Sequence, residues 1–126
     1  MSNDRLLLIR KAKNGVEAGY IQLILKYYHF KKNFIAEMLN LSTKTLDRYT
    51  NENRKLNPND SELIIKLMLL YKKGLEIFGT QEYFITWLNK NAFGLGNIKP
   101  VEIINTSEGI DLIMEELNRI EFGDLS

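Results

Sequence analysis

Apolar residues in this chain recur at intervals of three and four and do not alternate, a rhythm that helices satisfy and half-buried strands do not. Leu63, Leu67, Tyr71 and Leu75 return every fourth residue, and Ile64 and Met68 widen that stripe. Tyr20, Ile21, Ile24 and Leu25 keep the rhythm upstream, as do Phe34, Ile35, Met38 and Leu39. Downstream it continues through Phe84, Trp87 and Leu88, then Ile110, Ile113, Met114, Leu117 and Ile120. The chain is therefore expected to be all-α. Punctuation places the helices at 4–13, opened by Asp4 and stopped by Asn14-Gly15, and at 16–27, 31–40 and 43–51. Ser42 suits the N-cap of the fourth. A turn over 51–59 contains Asn57-Pro58, and Asp60 or Ser61 then caps the longest helix, 62–78, which Gly79 terminates. Further helices are predicted at 80–91, at 101–104 behind Pro100, and at 108–121 after Thr106 or Ser107, with a loop at 94–97. The tail from Phe122 to Ser126 frays or docks on a partner.

A length of 126 residues suits one domain or two small helical modules sharing a core. The apolar runs Leu6–Ile9 and Leu67–Tyr71 fall far short of a membrane span, and no secretory leader opens the sequence, so the protein is expected in the cytoplasm. With no cysteine and one histidine, disulfides, thiolate chemistry and Cys- or His-rich metal sites are excluded, and no cofactor is expected. The net charge of +1 conceals a polarity. Residues 1–79 hold 14 Lys and Arg against 8 Asp and Glu, a net of +6, whereas residues 80–126 hold 3 against 8, a net of −5. Such asymmetry suggests a polyanion partner for one half and a different partner for the other.

The basic half meets the spacing of a DNA-binding helix-turn-helix. Ala36 supplies a small side chain where two helices cross, and four residues later Asn40 stands where a left-handed backbone is needed. Ile35, Leu39, Leu41, Leu46 and Tyr49 form the apolar seam. Thr43, Lys44, Asp47, Arg48 and Asn51 then face outward, able to bond bases or phosphates, with Arg48 the strongest candidate for a bidentate grip. Lys31, Lys32 and Ser42 lie near helix N-termini that also attract phosphate. Asp47 could accept from a cytosine amino group or fix Arg48, or simply pair with Arg48 or Lys44, and Arg54-Lys55 could be a solvated loop.

Catalytic constellations do not assemble, and the chain is not expected to be an enzyme. His29, between Tyr28 and Phe30, reads as a partly buried or capping residue with no nucleophile near it. Asp111, Glu115 and Glu116 read as a solvated helix face, Gly94-Leu95-Gly96 as a loop rather than a phosphate fingerprint, and Trp87 as core rather than a stacking platform.

The residues do resemble a family over the whole chain. Leu41 to Arg48 in the helix-turn-helix, then Leu56, Ser61 and Phe78-Gly79, followed by Trp87-Leu88, Asn91, Leu95-Gly96, Pro100, Thr106, Gly109, Leu117, Arg119-Ile120-Glu121 and Phe122-Gly123, resemble in order the Xre-type antitoxins with an Xre/MbcA/ParS toxin-binding domain, partners of RES-domain toxins. Phe93, in a loop where that pattern has smaller residues, and the aromatic segment before the helix-turn-helix depart from it. The resemblance implies a DNA-binding region at 1–60, a connecting helix at 61–79 and a toxin-binding domain at 80–126. It further implies a homodimer that binds operator DNA and covers the active site of a NAD-consuming or ADP-ribosylating toxin. With the acidity of the C-terminal half, it places toxin contacts at Leu95, Asn97, Lys99, Arg119, Glu121 and Phe122. The alternative is a stand-alone transcription regulator whose C-terminal module dimerises.

Overall fold

The computed structural model describes residues 2–28 and 30–123, excepting the side chains of residues 2–5 and 8. The helix expected to open at Asp4 already includes Ser2, while the role of His29 and the last three residues of the tail lie outside the described residues. Seven α-helices follow in order: α1 (Ser2–Asn14), α2 (Gly19–Tyr27), α3 (Lys32–Met38), α4 (Thr43–Asn51), α5 (Pro58–Phe78), α6 (Gln81–Leu88) and α7 (Ser107–Glu121). Short 3-10 turns occupy Phe93–Leu95 and Pro100–Glu102. No strand forms among the described residues, and the fold is all-α. The chain divides into two compact units, residues 1–65 and 66–126, and α5 passes from the first into the second.

In the first unit, Gly15 adopts a left-handed φ of 86° and ends α1, as its place after Asn14 predicts. The expected helix over 16–27 is shorter than its periodicity suggests, starting at Gly19. Residues 16–18 are instead paired with residues 54–56: the Ala18 N–H donates to the Arg54 carbonyl at 2.7 Å, and the Leu56 N–H to the Val16 carbonyl at 2.8 Å. A backbone engaged sideways cannot also turn into a helix. The N-terminus of α2 is capped from outside, by the Asn53 side-chain oxygen accepting from the Gly19 N–H at 2.9 Å. Asn53 is itself left-handed, with a φ of 49°. Behind it the Arg54 N–H bonds the Tyr49 carbonyl and the Asn53 N–H the Thr50 carbonyl, a Schellman closure of α4.

The start of α5 also corrects the sequence reading. The helix begins at Pro58, four residues before the expected Glu62, because Asn57 and Pro58 serve as N-cap and first helical residue rather than as a turn pair. The Asn57 side-chain oxygen accepts from the Asp60 N–H at 2.8 Å, and burial pushes the Asp60 carboxyl above its ordinary value despite the opposing Asn57 amide. Ser61, expected as a cap, is fully buried and does different work. Its hydroxyl accepts from the Val16 N–H at 2.8 Å and donates to the Leu56 carbonyl at 3.2 Å, locking the 16–18 and 54–56 segments together. Ile21, Ile24, Ile35, Leu46 and Ile64 complete the core beside it.

The second unit is built around Phe84, fully buried on α6, with Tyr71 edge-on at 5.8 Å and Phe78 stacked at 5.9 Å. Trp87 packs against Phe78 at 5.5 Å but is half-buried, at the edge of the core rather than within it. The buried face of α5 here runs through Leu67, Leu70 and Tyr71, so Leu75 and Met68 sit on its shoulders rather than its centre. Thr106 caps α7 by accepting from the Gly109 N–H at 3.0 Å. The backbone approaches so closely there that any side chain at Gly109 would collide with the Ile103 carbonyl. Lys66 reaches Ser107 at 2.9 Å and Asp111 at 3.0 Å, and Lys73 reaches Glu121, so two lysines of α5 hold both ends of α7.

Ser61→Ala removes the hydroxyl that satisfies the buried Val16 N–H, and the stability loss should be about 1–3 kcal/mol in urea unfolding. A loss below about 0.5 kcal/mol, the scatter of neutral surface substitutions, would show that the lock carries no load.

Candidate functional site

The helix-turn-helix is assembled from local chemistry. Asn40 ends α3 in the left-handed region with a φ of 57°, and the Leu41 N–H closes back on the Ala36 carbonyl at 2.8 Å. A residue at 36 larger than alanine would wedge the crossing open, and Ala36 is buried there with Ile35, Leu39 and Leu46. Ser42 caps α4: its oxygen accepts from the Thr45 N–H at 3.0 Å and its hydroxyl donates to the Thr45 side chain at 3.0 Å. These constraints turn one face of α4 outward. Thr43, Lys44, Arg48 and Asn51 are exposed, as are Lys31, Lys32 and Ser42, and Asp47 is half-buried.

Asp47 pairs neither with Arg48 nor with Lys44. Its partner is Lys32, at 2.8 Å across the turn from α3. That pairing neutralises the one acid of α4 and frees Lys44 from it. A recess of about 320 Å³ opens beside the pair, lined by Gln22, Leu25, Lys32, Leu46, Asp47, Thr50 and Asn51. Gln22 is the residue that sequence reasoning passed over, because only the packing of α2 against α4 brings it to the same recess as Asp47 and Asn51. Arg54 is more than a solvated loop residue. Its guanidinium lies 4.3 Å from the Tyr49 ring centroid and 3.4 Å from the Glu52 carboxylate, and that of Arg48 lies 5.7 Å from the same ring.

On the second unit, the segment 92–98 closes on itself through the Ala92 N–H to the Ile98 carbonyl at 2.8 Å and the Asn97 N–H to the Ala92 carbonyl at 2.9 Å. Gly96 and Asn97 are both left-handed. Leu95 is half-buried and Asn97 and Lys99 are exposed, while the Lys99 N–H is held by the Glu102 carboxylate at 3.1 Å. The carboxylates of α7 do not form one solvated face. Asp111 is paired with Lys66, and Glu116 is buried under Gly94 and bonded to Arg119 at 2.8 Å. Gly94 is small because a side chain would strike the Glu116 carboxylate. Arg119 is thereby brought to the 93–95 turn, and the Glu121 carboxylate is held by Lys73. Phe122 projects from the end of α7 with 76% of its surface exposed, and Phe93 from the turn with 91%. Sequence reasoning had Phe93 only as a departure from a pattern, and its signal is an aromatic side chain in an otherwise small and polar loop.

Among the described residues, no three His, Asp or Glu gather into a possible metal site, and no helix is long and apolar enough to cross a membrane. Residues 7–69 match the antitoxin Xre-like helix-turn-helix domain, and residues 73–123 match the antitoxin Xre/MbcA/ParS C-terminal toxin-binding domain. A protein of Sphingobium sp. (strain YBL2) named "Prs ADP-ribosylating antitoxin" is 26% identical, over 95% of this chain and 79% of its own length. Proteins named "Antitoxin Xre" from Yersinia enterocolitica and Photorhabdus laumondii are 23% and 21% identical, over 95% and 89% of this chain and 82% and 76% of their own lengths. With an Xre-like helix-turn-helix and the toxin-binding domain in tandem along nearly its whole length, this chain belongs to the Xre family of antitoxins.

Proposed function

We propose that this protein neutralises a RES-domain toxin that consumes NAD or ADP-ribosylates a target, and that as a cytoplasmic homodimer it binds operator DNA to repress its own operon. The observation that carries this reading is the tandem on one chain of a helix-turn-helix match at 7–69 and a toxin-binding match at 73–123. In domain terms, residues 1–60 bind DNA, 61–79 connect and 80–126 bind the toxin.

On DNA, α4 enters the major groove, with Arg48 and Asn51 reading base edges and Lys31, Lys32, Ser42, Thr43 and Lys44 positioned for phosphates. Asp47 keeps Lys32 in place and is available to a cytosine amino group. Two copies would read half-sites about 34 to 36 Å apart. On the toxin side, Phe122 offers an exposed anchor, and Leu95, Asn97, Lys99, Arg119 and Glu121 surround it or the neighbouring turn. A large exposed aromatic side chain is the kind of group that contributes most to a protein interface once a partner buries it.

Arg48→Ala should weaken binding to the specific operator by about 1–3 kcal/mol in a titration at fixed salt. Affinity should also fall steeply as salt rises, because phosphate contacts release counterions. Unchanged operator affinity would remove Arg48 from the reading set. For the partner, affinity purification of the native complex should return a RES-domain protein, and Phe122→Asp should weaken that association about tenfold or more while leaving the melting temperature in place. Recovery of a toxin of another class would overturn the RES assignment, recovery of no partner would favour the stand-alone regulator, and full affinity in the variant would move the contact away from the end of α7.

A further inference from the structure

On α2, Tyr20, Leu23 and Tyr27 lie within one narrow arc of the helix, at 100° per residue, and all three are open to solvent, with exposures of 47%, 47% and 59%. Ile24 and Ile21 of the same helix, about 40° and 100° round from Tyr20, are fully buried, so the stripe borders the core. An aliphatic residue flanked by two aromatics on a surface helix is an apolar stripe without a partner in the monomer. Beside its N-terminal end a recess of about 210 Å³ is lined by Glu17, Gly19, Tyr20, Leu23 and Asn53. A cavity of about 150 Å³ suffices to hold a benzene ring. The recess is therefore large enough for a phenol.

Gly19, on the wall of the recess, and the exposed Tyr27 sit on one helix at equal distances from Leu23, which also lines the recess. Gly19 lies four residues before Leu23, and Tyr27 four residues after it. A two-fold axis through Leu23, with two copies of α2 antiparallel, carries Tyr27 of each copy onto Gly19 of the other. Such an isologous contact is self-complementary by construction. Charge agrees with shape. The Lys26 ammonium lies 5.4 Å from the centroid of its own Tyr27 ring, so a Tyr27 entering the recess brings a cation to the wall that Glu17 forms. Glu17 is already positioned there, accepting from the Asn53 amide at 2.7 Å.

We propose that two copies of this chain pair through α2, antiparallel about Leu23, with Tyr27 of each filling the Gly19 recess of the other. Gln22 and Leu25, which face the α4 side of the helix, are left out of that contact. The reading face of α4 therefore stays open to DNA in the pair. The proposal rests on the homodimer in the functional reading above and adds where the two copies meet: at the DNA-binding unit rather than through Phe93, Leu112 or Phe122 of the toxin-binding one.

The test uses the full chain and its lack of cysteine. Sedimentation of the wild type should show a dimer, and Leu23→Glu and Tyr27→Ala should each raise its dissociation constant about tenfold or more with an unchanged circular dichroism spectrum. Under mild oxidation Leu23→Cys should form a covalent dimer, while Leu112→Cys, exposed on the other unit, should not. A wild-type monomer at all concentrations would overturn the homodimer reading itself. A wild-type dimer that neither substitution weakens, or that crosslinks at Cys in place of Leu112 and not at that in place of Leu23, would leave the dimer standing and overturn its placement on α2.

Discussion

The buried hydroxyl of Ser61 holds the first unit in register. It satisfies the Val16 N–H and bonds the Leu56 carbonyl, and between those two residues the chain pairs 16–18 with 54–56. Because a buried amide left without a partner costs about as much as several apolar contacts contribute, these segments have little freedom to slide. One consequence is the start of α2, which is delayed to Gly19, whereas the end of α4 at the left-handed Asn53 and the start of α5 at Pro58 are set locally. The delayed start of α2 leaves Glu17, Gly19 and Asn53 around an open recess, and the turn after α4 brings Arg54 over Tyr49. The segment that follows α4 is thus held by hydrogen bonds lying outside the helix-turn-helix itself.

The second unit surrounds its apolar core with ion pairs. Lys66 and Lys73, one side of α5, take up Asp111 and Glu121 of α7, and Glu116 is buried with Arg119 under the Gly94 turn. A buried carboxylate is tolerable only when paired, and removing Arg119 would leave a charge with no compensation. The acidity that the charge count assigns to this half is therefore partly internal. What its surface leaves open includes three exposed aromatics, Tyr83, Phe93 and Phe122, together with the polar loop at 97–99.

Features set by neighbours in sequence were legible before any coordinates. The left-handed Asn40, the Ser42 and Thr106 caps, Pro100 at the start of its short helix and the span of α4 all depend on contacts no more than five residues away. Features set by distant residues were not. Ser61 looks like a helix cap until Val16, 45 residues away, is brought to it. Asp47 has Lys44 and Arg48 close by in sequence, yet Lys32 reaches it because the turn at Asn40 folds α3 across α4. Glu116 reads as one of a row of solvated acids until Gly94 covers it.

The sequence by itself determined that this chain is helical throughout, where most of its helices stop, that its front half carries a helix-turn-helix, and that its charge is divided between its ends. Those properties are written in side-chain periodicity, in turn and cap residues and in counts, all local or additive. The tertiary structure decided which polar groups are buried, which charges are neutralised and which aromatics remain exposed. Each of those depends on what burial removes from water, and burial is a property of two segments meeting rather than of either one alone.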